Sequence, residues 1–298
     1  MTLTLAIPCH NDADPLVGLL ARARSLGCFD HVIVVDDGSA RPLAAGALCA
    51  ATGLAADRLT LIRHETAQGP GVARNRALEM VETDLVLFLD ADDLPTPELM
   101  PLLADLRGRD FDFCLFAHHD TRREQERAWG QMPWDQALWD RAGVALGALS
   151  EVRAEAAALL AQTANYPWNK ICRTAFLRDH GIGCSPILLH EDVELHWRSF
   201  HHANTILASD RICVVHGVDH DGDRLTNLES PARLEVFPVL EKLAAEMAGG
   251  PFALPFARFA LGLAAWIGGN VAADEQDRLR ALTQAFRDGL PAPVRAKL

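Results

Sequence analysis

Apolar runs that end in acidic loops constrain this chain more than any other feature. Val32 to Val35 is a continuous β-branched run of the kind buried on both faces of a parallel sheet, and it ends in Asp36-Asp37-Gly38-Ser39. Leu3 to Ile7 is a shorter run, bounded by Pro8, that leads into Cys9-His10-Asn11-Asp12. Leu85 to Leu89 delivers Asp90-Ala91-Asp92-Asp93, and further β-like runs are Leu59 to Ile62 and Phe111 to Phe116. Helical patterns lie between them. Leu16, Leu19, Leu20, Ala23 and Leu26 fall at helical spacing after a cap at Asp14 and Pro15, and Gly27 closes the helix. Gly71 to Glu82 and Thr96 to Leu106 also read as helices. This alternation predicts an α/β fold with a mainly parallel, twisted sheet flanked by helices. Ligands of such sheets bind beyond the carboxyl ends of the strands, so the three acidic loops are expected to share one edge.

Charge and cysteine usage narrow the class. The 298 residues carry 28 Lys+Arg against 40 Asp+Glu, a formal net charge of −12. So acidic a chain lacks the basic footprint of a sequence-independent nucleic-acid binder, and no nucleic-acid partner is expected. Seven cysteines at irregular spacing, with no CxxC, read as buried free thiols in a reducing compartment. The N-terminus has no basic segment before a long apolar core, so it reads as a first strand and a cytoplasmic location is expected.

Four segments carry chemistry. At Asp90-Ala91-Asp92-Asp93, carboxylates on alternate residues suit a hard divalent cation such as Mg²⁺ or Mn²⁺; the plain alternative is an acidic turn capping the next helix. Asp36-Asp37 stands where a strand-end acid can bond a ribose or a base, although an Asp-Gly turn alone would explain it. The first loop lacks the G-x-G-x-x-G of dinucleotide-binding folds, and no P-loop occurs. Gly69-Pro70-Gly71-Val72-Ala73-Arg74-Asn75 opens a helix with a guanidinium in its first turn, which suits an anion. His190-Glu191-Asp192 begins another helix, where the acids fit either capping or general-base work. The spacing of His190 and His196 is wrong for a zincin.

Taken in order, these segments resemble the family 2 glycosyltransferases of bacteria, which are inverting enzymes of GT-A type fold. The resemblance rests on Ile7-Pro8 with Asn11, Val35 to Ser39, Gly69 to Asn75, Leu89 to Asp93 and Glu191-Asp192. Trp168-Asn169-Lys170 and Leu225-Thr226-Asn227 add to it. It covers about residues 3–227, taken as a transferase domain with a nucleotide-binding half (1–116) and an acceptor-side half (117–227). Residues 228–298 are expected to form a C-terminal helical extension. The resemblance implies that Pro8, Asp36, Asp37, Arg74 and Asp90 line a nucleotide pocket. Asp92, with Asp90 and His220, would hold Mn²⁺ or Mg²⁺; His216 competes with His220. Asp192 would be the base that deprotonates the acceptor hydroxyl, supported by Glu191. The implied reaction moves a sugar from a nucleotide-diphosphate donor, UDP-linked by default, to a hydroxyl of a glycan or other acceptor, in cell-surface polysaccharide or glycan biosynthesis.

Two other regions carry expectations. Residues 120–165 read as an irregular insertion followed by a helix around 151–161, with Trp129, Trp134 and Trp139 as packing residues. After Lys170 a short strand, a helix from Thr174, a helix from Glu191 to Ala203 and a strand from Arg211 to Val215 are expected. Two or three helices then finish the chain. Phe252 to Ala273 is largely apolar but contains Arg258, so a buried helix or one pairing two copies is expected over a membrane span, with peripheral contact at the inner membrane face as the lesser reading. The alternatives are a sugar-phosphate nucleotidyltransferase, against which the glycine-free first loop argues, and a non-catalytic partner subunit or glycan-binding module of the same fold.

Overall fold

The computed structural model describes residues 1–218 and 229–298. In chain order the elements are β1 (Leu3–Cys9), α1 (Ala13–Leu26), β2 (His31–Asp37), α2 (Ala45–Thr52), β3 (Leu59–His64), α3 (Pro70–Met80), β4 (Leu85–Phe88), β5 (Leu94–Pro95) and α4 (Leu99–Leu106). There follow β6 (Phe113–Asp120), α5 (Pro133–Ala142), β7 (Leu149–Glu151), α6 (Ala154–Leu160), β8 (Lys170–Arg173), α7 (Thr174–Asp179), α8 (Asp192–His202) and β9 (Ile206–His216). The chain continues with α9 (Val236–Glu246), α10 (Ala253–Gly268), α11 (Gln276–Gly289) and α12 (Ala292–Arg295).

Among the described residues the strands form one sheet in the order β3-β2-β1-β4-β8-β6-β9-β5, with β7 also paired to β9. The four strands β3, β2, β1 and β4 are mutually parallel. β8 runs antiparallel to both β4 and β6, and β9 returns parallel to β6.

Period-two alternation gives the sheet two apolar faces. Leu5, Ile7, Val32, Val34, Leu85 and Leu87 pack on one side, against Leu16, Leu19 and Leu20 of α1 and Leu99, Leu102 and Leu106 of α4. Ala6, Ile33, Val35, Val86 and Phe88 point the other way, into a cluster with α3, α8, α9 and α10. That second cluster runs without a break from the sheet into the helices after residue 228. Trp197 of α8 meets Phe256 of α10 edge-on at 5.0 Å.

Several local expectations need correction. Helix α1 begins at Ala13, so Asp12 rather than Asp14 holds the cap position, without a side-chain cap hydrogen bond to the first turn. The helix expected from Thr96 starts at Leu99, because Leu94–Pro95 first pairs with β9. Residues 120–165 are more regular than expected, with α5 and β7 preceding α6. Of the three tryptophans Trp139 is buried in the core, whereas Trp129 and Trp134 are 63% and 57% exposed, Trp129 with its ring stacked on His119. β9 starts at Ile206, five residues earlier than read, because it has β6 and β7 to pair with. Among the described residues no helix is long and apolar enough to cross a membrane.

Candidate active site

Because β1, β2 and β4 are parallel, their carboxyl ends lie at one edge. The first two loops are tied together there. The Asn11 backbone N–H donates to Ser39 Oγ at 2.9 Å, and Asn11 Oδ1 accepts from Ala40 N at 2.8 Å. Asn11 adopts φ 61°, a left-handed conformation that asparagine tolerates. Pro8 is buried inside β1, opposite Val35, so the strand runs two residues beyond Ile7.

Asp36 and Asp37 shape the site rather than standing open in it. Asp36 accepts from the backbone N–H groups of Ser39 and Leu43, each at 3.0 Å, and from the Arg63 guanidinium. Burial opposes its charge, but those bonds hold it below the ordinary carboxylate range. Asp37 accepts from His64 Nδ1 at 2.7 Å, Gln68 N at 3.0 Å and Gly69 N at 2.8 Å, which fixes the entry to α3. Arg63 and His64 escaped the sequence reading. They are the direct β3 partners of Asp36 and Asp37, a register that only the strand pairing reveals. Gly38 (φ 68°) has no room for a side chain, since a Cβ there would lie 2.4 Å from Ala67 N.

Arg74 joins two distant segments. Its guanidinium donates to Glu191 Oε1 at 2.7 Å and to Asp90 Oδ1 at 2.5 Å. Arg74 is buried, while the side chains of Glu191 and Asp90 are 11% and 31% exposed. Two further contacts make this closeness possible. Asn75 pairs with the backbone of Cys184 in both directions, each bond at 2.8 Å. Gly71 lets Glu191 approach, because a Cβ there would lie 2.8 Å from Glu191 Cγ and 2.7 Å from Ser185 O. One edge thus gathers the loop after β4, the start of α3 and the start of α8.

Asp192 is the first residue of α8 and half-buried. Burial pushes its carboxyl up to about 8, with Glu191 adding to the shift and Arg74 and Lys170 opposing it. Lys170 is fully buried, donates to the Tyr166 carbonyl at 2.7 Å and is pushed down to about 8 by desolvation. His190, directly before the acidic pair, adopts φ 64° and lies edge-on to Trp266 of α10, with ring centres 5.8 Å apart. The Arg233 guanidinium sits 4.8 Å from the centre of that same Trp266 ring, so the C-terminal helices reach the neighbourhood of Glu191-Asp192.

Asp90, Asp92 and Asp93 form an oxygen-rich corner. Asp93 is fully buried and bonds His216 Nδ1 through Oδ1 at 2.7 Å, whereas its buried Oδ2 has no hydrogen-bond partner among the described residues. His216 packs on Trp168 with ring centres 4.7 Å apart. Hard carboxylate oxygens, one of them orphaned, suit a divalent cation. His220 lies outside the described residues, as do Leu225, Thr226 and Asn227.

Sequence and fold comparisons agree with this geometry. Residues 4–149 match the family described as Glycosyl transferase family 2. That match covers the nucleotide-side strands β1 to β6, and the fold as a whole is of GT-A type. It is 30% identical over 201 residues to succinoglycan biosynthesis protein ExoU of Rhizobium meliloti (strain 1021), which aligns 65% of this chain with 56% of that protein. Matches to curated relatives span only 18% to 56% of the relatives' own lengths. In fold, S. aureus TarS 1-349 in complex with UDP-GlcNAc is similar over 99% of this chain and 83% of its own, with a TM-score of 0.77 at 21% identity. Mannosyltransferase PcManGT from Pyrobaculum calidifontis, in complex with GDP-Man and Mn²⁺, covers 99% of this chain and 82% of its own at a TM-score of 0.56 and 15% identity.

Proposed function

We propose that this protein is an inverting glycosyltransferase that moves a sugar from a UDP-linked donor to a hydroxyl of a glycan or related acceptor, in polysaccharide biosynthesis. The observation that carries the reading is the Arg74 bridge, which brings the acidic loop after β4 and the Glu191-Asp192 pair together at one edge of the sheet. The succinoglycan relative supports the pathway class, and the UDP-GlcNAc complex of the TarS neighbour supports a uridine donor. Residues 1–227 would be the transferase domain and 228–298 an extension beside its acceptor side. Seven unpaired cysteines support a reducing, cytoplasmic setting.

In this mechanism Pro8 and the tied loops of Asn11 and Asp37 would frame the nucleotide base. Asp90 would contact the ribose. A Mg²⁺ or Mn²⁺ ion held by Asp92 and Asp90 would supply the charge that neutralises the departing diphosphate. Asp192 takes the proton of the acceptor hydroxyl, whose oxygen forms the new bond to the anomeric carbon. The bond to the diphosphate breaks with its electron pair leaving on UDP. A carboxyl raised towards neutrality by burial is a stronger base than an exposed aspartate. Glu191, fixed by Arg74, sets the position of the first turn of α8. A single displacement inverts the anomeric centre, so one base is enough.

Calorimetry tests the reading. UDP binding that requires Mn²⁺, disappears with a chelator and is lost in Asp92→Ala is expected. Folded protein that binds no nucleotide with or without the metal overturns it.

A further inference from the structure

The far end of α8 carries a second constellation that the proposed transfer reaction does not use. His201 and His202 close α8, and Glu246 closes α9. One ligand atom from each of the three residues lies within 4.8 Å of the others. His202 Nε2 and Glu246 Oε1 are 2.7 Å apart, a hydrogen bond that would open to about 3.3 Å, the spacing of ligand atoms on a tetrahedral ion. His201 has no hydrogen bond to protein among the described residues, and its ring lies edge-on to His202 at 4.9 Å.

The backbone adds to the attraction for a cation. Helices α8 and α9 both end here, and carboxyl ends of helices carry partial negative charge. Arg198 donates to Glu246 Oε1 and to the carbonyls of His180 and Gly181 just past α7, which ties α7, α8 and α9 together here. Among the described residues no hydrogen bond reaches Glu246 Oε2, so the carboxylate keeps an oxygen to offer.

We infer that His201, His202 and Glu246 form a Zn²⁺ site joining α8 to α9. Two imidazoles and one carboxylate are a ligand set zinc takes readily, with water completing a tetrahedron. Binding would replace the hydrogen bond between His202 Nε2 and Glu246 Oε1, with both side chains turning to the ion. Ligand atoms around zinc stand closer together than 4.8 Å, so the His201 and Glu246 side chains would draw inward by a rotamer adjustment. The site is distinct from the acidic corner at Asp90 to Asp93, which offers hard oxygen ligands on another part of the fold. Its consequence is mechanical. The helix whose first residue is Asp192 would be fastened at its other end to the C-terminal helices.

The test is metal titration of the full chain, followed by Zn²⁺ calorimetry and the visible spectrum of the Co²⁺ form. One equivalent of Zn²⁺ should bind, raise the melting temperature and leave Asp92→Ala unaffected in this respect. His201→Ala, His202→Ala and Glu246→Gln should each weaken binding at least as much as the roughly 10–100-fold that loss of an outer-sphere partner causes. The Co²⁺ form should show intense tetrahedral bands that vanish in His201→Ala. His201→Gln, at a partly exposed position, serves as a second variant should alanine disturb folding. Absence of stoichiometric binding overturns the inference, as does binding of unchanged affinity in the His201 and His202 variants. Because this readout needs neither nucleotide nor sugar, its failure and that of the transferase reading are separable.

Discussion

Replacing Arg74 by methionine keeps the aliphatic stem and removes the charge. Two carboxylates then lose their shared counter-ion. Breaking a fully buried ion pair by deleting one partner costs about 3–5 kcal/mol. Glu191, 11% exposed, should bear most of that loss. Asp90, 31% exposed, remains partly hydrated and should add little. A destabilisation of about 3 kcal/mol follows. Unfolding entropy of about 2.1 cal/mol/K per residue gives about 0.6 kcal/mol/K for a chain of this length. Arg74→Met should therefore melt about 5 °C below the parent by calorimetry. The double variant Arg74→Met/Glu191→Gln removes the stranded charge and should recover about half of the loss. UDP binding should weaken in both, since Asp90 is no longer held. A single variant that melts within a degree of the parent would refute the reasoning. So would a double variant no more stable than the single one, because the cost would then be lost packing rather than an uncompensated charge.

Other perturbations probe packing and pH. Gly71→Ala should melt about 2–5 °C lower, the equivalent of about 1–3 kcal/mol of overpacking, because its Cβ meets Ser185 O and Glu191 Cγ. Gly46→Ala in α2, where a Cβ meets nothing within 4 Å, should be neutral or slightly stabilising in the same scan. Asp135 is 2% exposed, and burial pushes its carboxyl up to about 6, although it accepts a bond from Ala164 N at 2.9 Å. The folded state thus holds the proton more tightly than the unfolded chain, whose aspartate titrates near 3.9. Its stabilising effect is complete below pH 4 and lost as pH rises through 6. By linkage Asp135→Asn, which keeps the acceptor, should gain about 3 kcal/mol over the parent above pH 6 and little at pH 4. Denaturant midpoints at pH 4.5 and 8 check this, and a gain that does not vary with pH would exclude the buried charge as its cause.

The parts legible in the sequence were those written locally. Val32 to Val35 and Leu85 to Leu89 state their burial in their own composition, and the parallel connection forces their ends to one edge. The acidic residues at those ends were visible for the same reason. What each one does was not, because it depends on partners distant in sequence. Asp36 and Asp37 read as ligand-facing acids until β3 aligns Arg63 and His64 beside them. Arg74 read as an anion site; 117 residues separate it from Glu191, the carboxylate it holds. Sequence spacing encodes a helix face or a strand face, but not which helix end a third segment will meet. Short strands fall to the same limit. β5 and β7 have two and three residues, too few for a period, and exist only because β9 is long enough to pair with both. The carboxylates of the site are therefore a local property of strand ends, whereas their charge states and orientation are set by tertiary pairing. Exchanging a partner such as His64 or Arg63 should accordingly disturb nucleotide binding as surely as exchanging the aspartate itself.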